Sequence, residues 1–148
     1  MKLKKAHLGA GALAAGAVLA FAVPAGAAVN LQSESNGTSA IKIVKQAKIK
    51  AKGAATIVTV NITCPAGSTY QLSVDVTQTV SPTTTTHGSG YVNNQVCTGG
   101  TEKVKVPVTS SGAPFKEGVA YAVGRADVYS PFGYVNLNTG REIVNVAS

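Results

Sequence analysis

Hydrophobic and polar residues alternate along much of the chain after residue 40, which is the pattern of β-strands with one buried face. The clearest case follows Gly53, where Thr56, Val58, Val60, Ile62 and Cys64 share one side of an extended segment. Further alternating stretches, and short runs bounded by turn residues, predict six more strands. The predicted strands cover residues 47–52, 56–64, 70–77, 91–98, 102–109, 119–129 and 141–146.

The segments between the predicted strands are short and rich in turn residues. They include Pro65-Ala66-Gly67-Ser68, Gly99-Gly100 and a polar loop at residues 81–90 that holds four consecutive threonines. Pro107 interrupts the fifth strand, which favours an edge position because proline has no N–H to donate. Seven strands in about 120 residues predict an all-β, seven-stranded antiparallel sandwich of the immunoglobulin-like class. A small barrel is the alternative architecture.

The first 27 residues have the organisation of a secretory signal peptide. Lys2, Lys4 and Lys5 precede an uncharged apolar run at residues 8–23, and Pro24 precedes the small residues of Ala25-Gly26-Ala27. We therefore expect cleavage after Ala27, although the apolar run approaches the roughly 18 residues of a membrane anchor. The absence of a twin arginine favours the general secretory route. The predicted organisation is a signal peptide at 1–27, a flexible polar leader at 28–40 and a sandwich domain at 41–148, released outside the cell.

Cleavage would change the charge of the protein. The full chain has 13 basic and six acidic residues and a formal net charge of +7. Three of the basic residues and none of the acidic ones lie in residues 1–27, which leaves ten against six and a net charge of +4. The predicted mature domain is therefore only moderately basic.

Cys64 and Cys97 are the two cysteines of the chain. In an exported protein, two cysteines are expected to be oxidised to each other. If successive strands alternate in direction, both residues lie at the same end of the domain, as a disulfide requires. A redox-active pair is the alternative, but the C-x-x-C spacing is absent. The sequence predicts one structural disulfide.

Groups capable of catalysis are scarce in the predicted mature domain. His87 is its single histidine, and its position in the threonine-rich loop predicts a solvated side chain. The six acidic residues are scattered, and no nucleophile elbow, zinc-binding, P-loop or calcium-loop motif is present. We therefore expect no enzymatic activity, no cofactor and no metal site.

The main concentration of charge is the group Lys42, Lys45, Lys48, Lys50 and Lys52, of which Lys48, Lys50 and Lys52 form an alternating row. On an extended strand these side chains point to the same side, about 7 Å apart. Such a row could bind an anionic cell-wall polymer, an acidic polysaccharide or a lipid surface. The alternative is the solvated outer face of an edge strand, where lysines prevent edge-to-edge association. No aromatic residues are interleaved with the lysines, so nucleic acid is not an expected partner.

The segment from Tyr129 to Tyr134 is the second surface candidate. Tyr129, Phe132 and Tyr134 lie on a predicted loop containing proline and glycine, at the same end of the domain as the cysteines. Aromatic loops at the end of a β-domain bind proteins or glycans in many families. The alternative is that Tyr129 and Phe132 close the open end of the hydrophobic core. Arg125 and Asp127 share a strand face and are expected to pair.

Several short segments across residues 62–143 together carry a family resemblance. They are Ile62-Thr63-Cys64-Pro65-Ala66-Gly67, Leu72-Ser73-Val74, Thr77-Gln78, Gly88-Ser89-Gly90, Cys97-Thr98-Gly99, Phe115-Lys116-Glu117-Gly118 with Ala120 and Ala122, and Arg141-Glu142-Ile143. They resemble small secreted actinomycete proteins, and the resemblance implies an immunoglobulin-like sandwich and an export signal. That group has no assigned activity, so no site residues are carried over.

The Tyr129–Tyr134 loop departs from the group, whose members often have a second cysteine pair near this turn. The loop is therefore expected to be less rigid than in those proteins. Streptomycete apo-chromoproteins share the fold class and secretion, but this chain lacks their two disulfides, so enediyne binding is not carried over.

The sequence favours a secreted, non-catalytic module that binds at the cell surface or in the extracellular medium. Its expected partners are a cell-wall polymer, a glycan or a protein, without integral membrane association after cleavage. A secreted inhibitor or small-ligand carrier, acting through loops at the disulfide end, is the alternative from another functional class.

Overall fold

The computed structural model describes residues 38–148, which form seven β-strands and one short 3-10 turn. The predicted signal peptide and all but the last three residues of the predicted leader lie outside the described residues. The strands are β1 (Ala40–Lys50), β2 (Ala55–Thr63), β3 (Thr69–Ser81), β4 (Thr84–Val96), β5 (Thr101–Ser110), β6 (Gly118–Ser130) and β7 (Gly133–Ala147), with the 3-10 turn at Ala51–Gly53. The prediction of an all-β domain with seven strands is confirmed.

The strands close into a barrel in the order β1-β2-β5-β4-β3-β6-β7, so the predicted immunoglobulin-like sandwich is wrong. Two lateral contacts close the barrel. β4 and β5 pair at Gly88↔Ser110 and Ser89↔Thr109, and β1 runs parallel to β7 over Gln46–Lys48. Alternation along a strand shows which side is buried but not which strand lies beside it, so the sequence pattern could not reveal these two contacts.

Two glycines allow β4 to approach β5 closely. A Cβ atom on Gly88 would lie 2.5 Å from the Thr109 carbonyl oxygen, and one on Gly90 would lie 2.0 Å from that of Pro107. Glycine within a strand commonly marks such an approach of two backbones. The β4–β5 pairing ends before it reaches Pro107. Pro107 lacks an N–H, and on its β4 side it is unpaired, as on an edge strand, although the barrel is closed.

Three strands begin seven or eight residues before their predicted starts. The first is β1, which begins at Ala40 rather than at residue 47. β4 begins at Thr84 and forms a hairpin with β3, with Ser81 opposite Thr84, so most of the predicted 81–90 loop is strand. β7 begins at Gly133 rather than at residue 141. The misjudged segments of β4 and β7 are rich in Thr, Asn and Gly, whose weak hydrophobic pattern concealed their pairing with neighbouring strands.

Aliphatic side chains from six of the seven strands fill the interior of the barrel, and the partly buried Val92 of β4 packs against them. Tyr70 and Phe115 are the largest aromatic members, at 2% exposure each. The buried hydrophobic residues are Ile43, Ala47, Val58, Val60, Ile62, Cys64, Tyr70, Leu72, Val74, Val76, Cys97, Val106, Val108, Phe115, Ala120, Ala122, Ala126, Val128, Leu137, Val144 and Val146. Small barrels are typically packed in this way, with binding surfaces on the outside or at the ends.

The predicted disulfide between Cys64 and Cys97 is confirmed. The two Cα atoms are 5.8 Å apart and both residues are buried at one end of the barrel. Two backbone hydrogen bonds accompany the bridge: Gly67 N–H donates to the Cys97 carbonyl, and Cys97 N–H donates to that of Ser68. A structural disulfide is consistent with an extracellular protein.

Candidate binding surfaces

Lys48 and Lys50 project outward from β1, but Lys52 does not continue their row. β1 ends at Lys50, and Lys52 lies in the 3-10 turn with a left-handed φ of 54°. Lys105 of β5 takes its place beside the first two lysines. These three residues line a shallow surface depression together with Gln46, Ile57 and Thr59.

The strand register extends this cluster into a basic face on β1, β2 and β5, defined by Lys42, Lys48, Lys50, Lys103 and Lys105. Lys42 and Lys103 flank Asn61 from opposite sides, and Lys105 lies opposite Thr59. Residues of β1 and β5 on either side of β2 are about 10 Å apart, twice the strand spacing.

No carboxylate interrupts the basic face within β1, β2 and β5 as the structure describes them. Glu102 is the acidic residue of these strands, and it lies opposite the buried Ile62, on the inward side of the barrel end. Its Oε1 accepts a hydrogen bond from Thr98 N–H. The register brings Lys42 and Lys103 together with Lys48 and Lys50. Lys42 belongs to the charge concentration predicted from the sequence, whereas Lys103 was not a predicted site residue.

Tyr129, Phe132 and Tyr134 lie on the outside of the barrel. Their exposed fractions are 47%, 58% and 58%, so the alternative in which Tyr129 and Phe132 close the core is wrong. Tyr129 of β6 and Tyr134 of β7 are directly opposite each other, with ring centroids 5.3 Å apart. The predicted loop is a tight turn, with Ser130 opposite Gly133. The Ser130 hydroxyl accepts from Phe132 N–H and donates to the Gly133 carbonyl, which braces the turn.

Asp127 forms a hydrogen-bonded group with two residues of β7. The Tyr134 hydroxyl and the Asn136 side-chain amide both donate to Asp127 Oδ1, at 2.6 and 2.7 Å. The bond from Tyr134, followed by that from Asn136, lowers the pKa of Asp127, since both favour the charged carboxylate. The same bond raises the pKa of Tyr134. Asn136 was not a predicted site residue, and its only sequence signal is that it shares a strand face with Tyr134.

Arg125 pairs with Asp75, so the predicted pairing with Asp127 is wrong. Arg125 Nη1 lies 2.8 Å from Asp75 Oδ2, and both side chains are about half exposed. The register explains the choice of partner, because β6 lies beside β3 and β7, and Asp127 is already engaged by β7. At that exposure the ion pair stabilises the fold by less than about 1 kcal/mol.

A second shallow depression lies between Arg125, Asp127 and Tyr91. Its volume is about 130 Å³, and its remaining walls are formed by Gln71, Leu72, Ser73 and Asn93. Tyr91 is 71% exposed on β4. This depression belongs to the outward surface of β4, β3, β6 and β7, which we call the tyrosine face.

His87 lies on β4 rather than in a loop. Its side chain is exposed, and Nδ1 is 3.0 Å from the Thr77 hydroxyl. No group of three or more His, Cys, Asp or Glu side chains within residues 38–148 is arranged to hold a metal ion.

The described part of the chain contains no helix of the length and hydrophobicity needed to cross a bilayer. In comparisons with known proteins, no family model, no curated protein and no solved structure matches the chain.

Proposed function

We propose that this protein is an exported, non-catalytic module that binds an anionic cell-surface polymer through the basic face. The single observation behind the proposal is the clustering of five lysines on three neighbouring strands whose outward positions carry no acid. Lysine side chains spaced by the strand register suit the repeating negative charges of a teichoic acid or an acidic polysaccharide.

Two further features support a site of action outside the cell. The sequence predicts a signal peptide at residues 1–27, and the buried Cys64–Cys97 disulfide suits an oxidising compartment. The depression beside Lys48, Lys50 and Lys105 is shallow and open to solvent, which favours binding of a long polymer over a small molecule.

The proposal is tested by cosedimentation with purified Gram-positive cell walls at low and high salt. The informative variant combines Lys48→Ala and Lys105→Ala, which removes two charges from the centre of the basic face. Its matched control combines Lys52→Ala and Lys116→Ala, which removes the same charge from residues outside that face. We expect salt-sensitive binding that the first double variant loses and the second retains.

Equal losses of binding in the two double variants would show that binding depends on net charge and not on the basic face. Binding that salt does not affect would also contradict the proposal. Release of the walls' anionic polymers before the assay should abolish binding; unchanged binding would also contradict it.

An inhibitor or small-ligand carrier is the second candidate function. It is favoured by the exposed Tyr129, Phe132 and Tyr134 at the disulfide end, since exposed aromatic groups commonly anchor partners. Such a protein would remain in the culture medium rather than fractionate with cell walls.

A further inference from the structure

The tyrosine face differs from the basic face because its charges are balanced. Its outward carboxylates are Asp75 and Asp127, and its outward cations are Arg125 and Arg141. Arg125 is paired with Asp75 at 2.8 Å, and the Arg141 guanidinium lies 5.4 Å from the centre of the Tyr121 ring. A polyanion or polycation gains little from such a surface, so its chemistry favours an uncharged ligand.

The polar groups at the centre of the face are held in fixed orientations. Tyr134 and Asn136 both bond to Asp127 Oδ1, while no hydrogen bond from residues 38–148 occupies Oδ2. The carboxylate is thus oriented with one oxygen free to accept. Gln71, Ser73 and Asn93 around the adjacent depression supply further donors and acceptors.

Exposed aromatic rings lie on both sides of this polar centre. Tyr91 borders the depression on β4, and the Tyr129–Tyr134 pair lies one register step, about 7 Å, beyond Asp127 and Asn136. Each ring offers a flat apolar surface beside a hydroxyl. A pyranose ring has complementary features: one face of C–H groups and a rim of hydroxyls.

We propose that the tyrosine face binds an uncharged oligosaccharide, with Asp127 accepting hydrogen bonds from sugar hydroxyls and Tyr91 and Tyr134 stacking on sugar rings. The site lies on different strands from the basic face, so it does not depend on the function proposed above. β4 and β7 are three strand spacings apart, about 14 Å, so an oligosaccharide could contact Tyr91 and the β6–β7 hairpin together, whereas a monosaccharide would reach only one aromatic group.

The test is a titration of the ¹⁵N-labelled protein, expressed from the full-length sequence, with cellohexaose, chitohexaose and mannohexaose. It is run at about 1 M NaCl, where screening within roughly 3 Å suppresses charge-driven binding. We expect saturable amide shifts at Ser73, Asp127 and Asn136 with at least one hexasaccharide. Absence of saturable shifts with all three, or shifts confined to β1, β2 and β5, would overturn the proposal.

Single surface variants then assign the contacts. Tyr91→Ala and Asp127→Ala should each weaken the affinity by roughly tenfold or more, the loss expected for a stacked ring or a charged hydrogen bond. Tyr134→Phe retains the ring and removes the bond to Asp127, so a smaller loss is expected. Lys105→Ala, on the basic face, is the matched control and should bind normally. Unchanged affinity in both alanine variants, with the native spectrum retained, would place the site elsewhere and refute this assignment.

Discussion

Asp127 of β6 is held in a fixed orientation by two residues of the neighbouring strand β7. Asn136 lies directly opposite Asp127, and Tyr134 lies two residues before Asn136 on the same strand. Both side chains can therefore donate to the same carboxylate oxygen. The two bonds hold the pKa of Asp127 below its ordinary value of 3.8. A carboxyl group whose pKa is lower in the folded chain than in the unfolded chain stabilises the fold above the unfolded pKa.

Replacing Tyr134 with Phe should therefore raise the pKa of Asp127 and lower the stability only where Asp127 is charged. The stability difference between wild type and variant should be fully present above pH 3.8, and should disappear as the pH falls through the lowered, folded-state pKa. Carboxyl ¹³C NMR titration measures the pKa, and urea unfolding at several pH values measures the difference. Tyr121→Phe is the control, and an unchanged Asp127 pKa in Tyr134→Phe would refute the assigned cause.

Gly90 is a residue at which a single methyl group should disrupt the barrel. Its Cβ would lie 2.0 Å from the Pro107 carbonyl oxygen, so Gly90→Ala must force β4 away from β5. We expect a loss of about 3 kcal/mol in the free energy of unfolding, at the upper end of overpacking costs. Gly100→Ala, where nothing lies within 4 Å, should be nearly neutral by urea denaturation. Equal effects in the two variants would contradict the close approach of β4 and β5.

At the scale of elements, buried polar side chains hold the β5–β6 connection against the end of the barrel: Thr86 donates to the Ala113 carbonyl, and Gln78 makes two bonds to Lys116. Gln78 is 3% exposed; its amide nitrogen donates to the Lys116 carbonyl, and its oxygen accepts from Lys116 N–H. The adjacent Phe115 enters the core, and its N–H donates to the Gly53 carbonyl. The connection therefore contributes to the core rather than lying free on the surface.

Gln78→Ala should lower the free energy of unfolding by about 2 kcal/mol, because it leaves both backbone groups of Lys116 without their partner. Thermal or urea unfolding measures the effect, with the exposed Gln46→Ala as control. If Gln78→Ala changed the free energy of unfolding as little as Gln46→Ala does, water would be replacing both hydrogen bonds between Gln78 and Lys116.

The disulfide links the turn after β2 to the end of β4. It closes a separation of 33 residues, for which the chain-entropy model gives about 3–4 kcal/mol. The double variant Cys64→Ala, Cys97→Ala should lose that amount in urea unfolding. It should retain a native spectrum, because the backbone bonds between Cys97 and residues 67–68 remain. An unaltered unfolding midpoint would show that the bridge does not constrain the unfolded chain.

At the scale of the whole molecule, the sequence predicted local structure better than lateral contacts. The alternating pattern identified β2 and the first part of β3 well, and the alternating strand directions placed Cys64 near Cys97. The barrel closure escaped prediction because it depends on short pairings at Gly88–Ser89 and Gln46–Lys48, which leave no hydrophobic period. Gly88 and Gly90 in β4 were the residues that could have indicated a close approach of β4 to another strand.

The residues of the candidate surfaces, like the fold, were predicted only in part. Lys48 and Lys50 were identified from their spacing, but Lys105 joins them only through the pairing of β1 and β5 with β2. Likewise, the pairing of Arg125 with Asp75 depends on the β3–β6 register. Interactions between strands depend on which strands are neighbours and on their register, and the pattern of a single strand does not contain that information.

The separation of a purely basic face from a charge-balanced tyrosine face is the main feature of the whole molecule. A titration of the ¹⁵N-labelled protein with purified wall teichoic acid at low salt tests most directly whether the basic face is a binding surface. We expect saturable amide shifts on β1, β2 and β5, centred on Lys48, Lys50 and Lys105 and abolished by high salt. Shifts centred on the β6–β7 hairpin, or no shifts at any polymer concentration, would contradict this expectation.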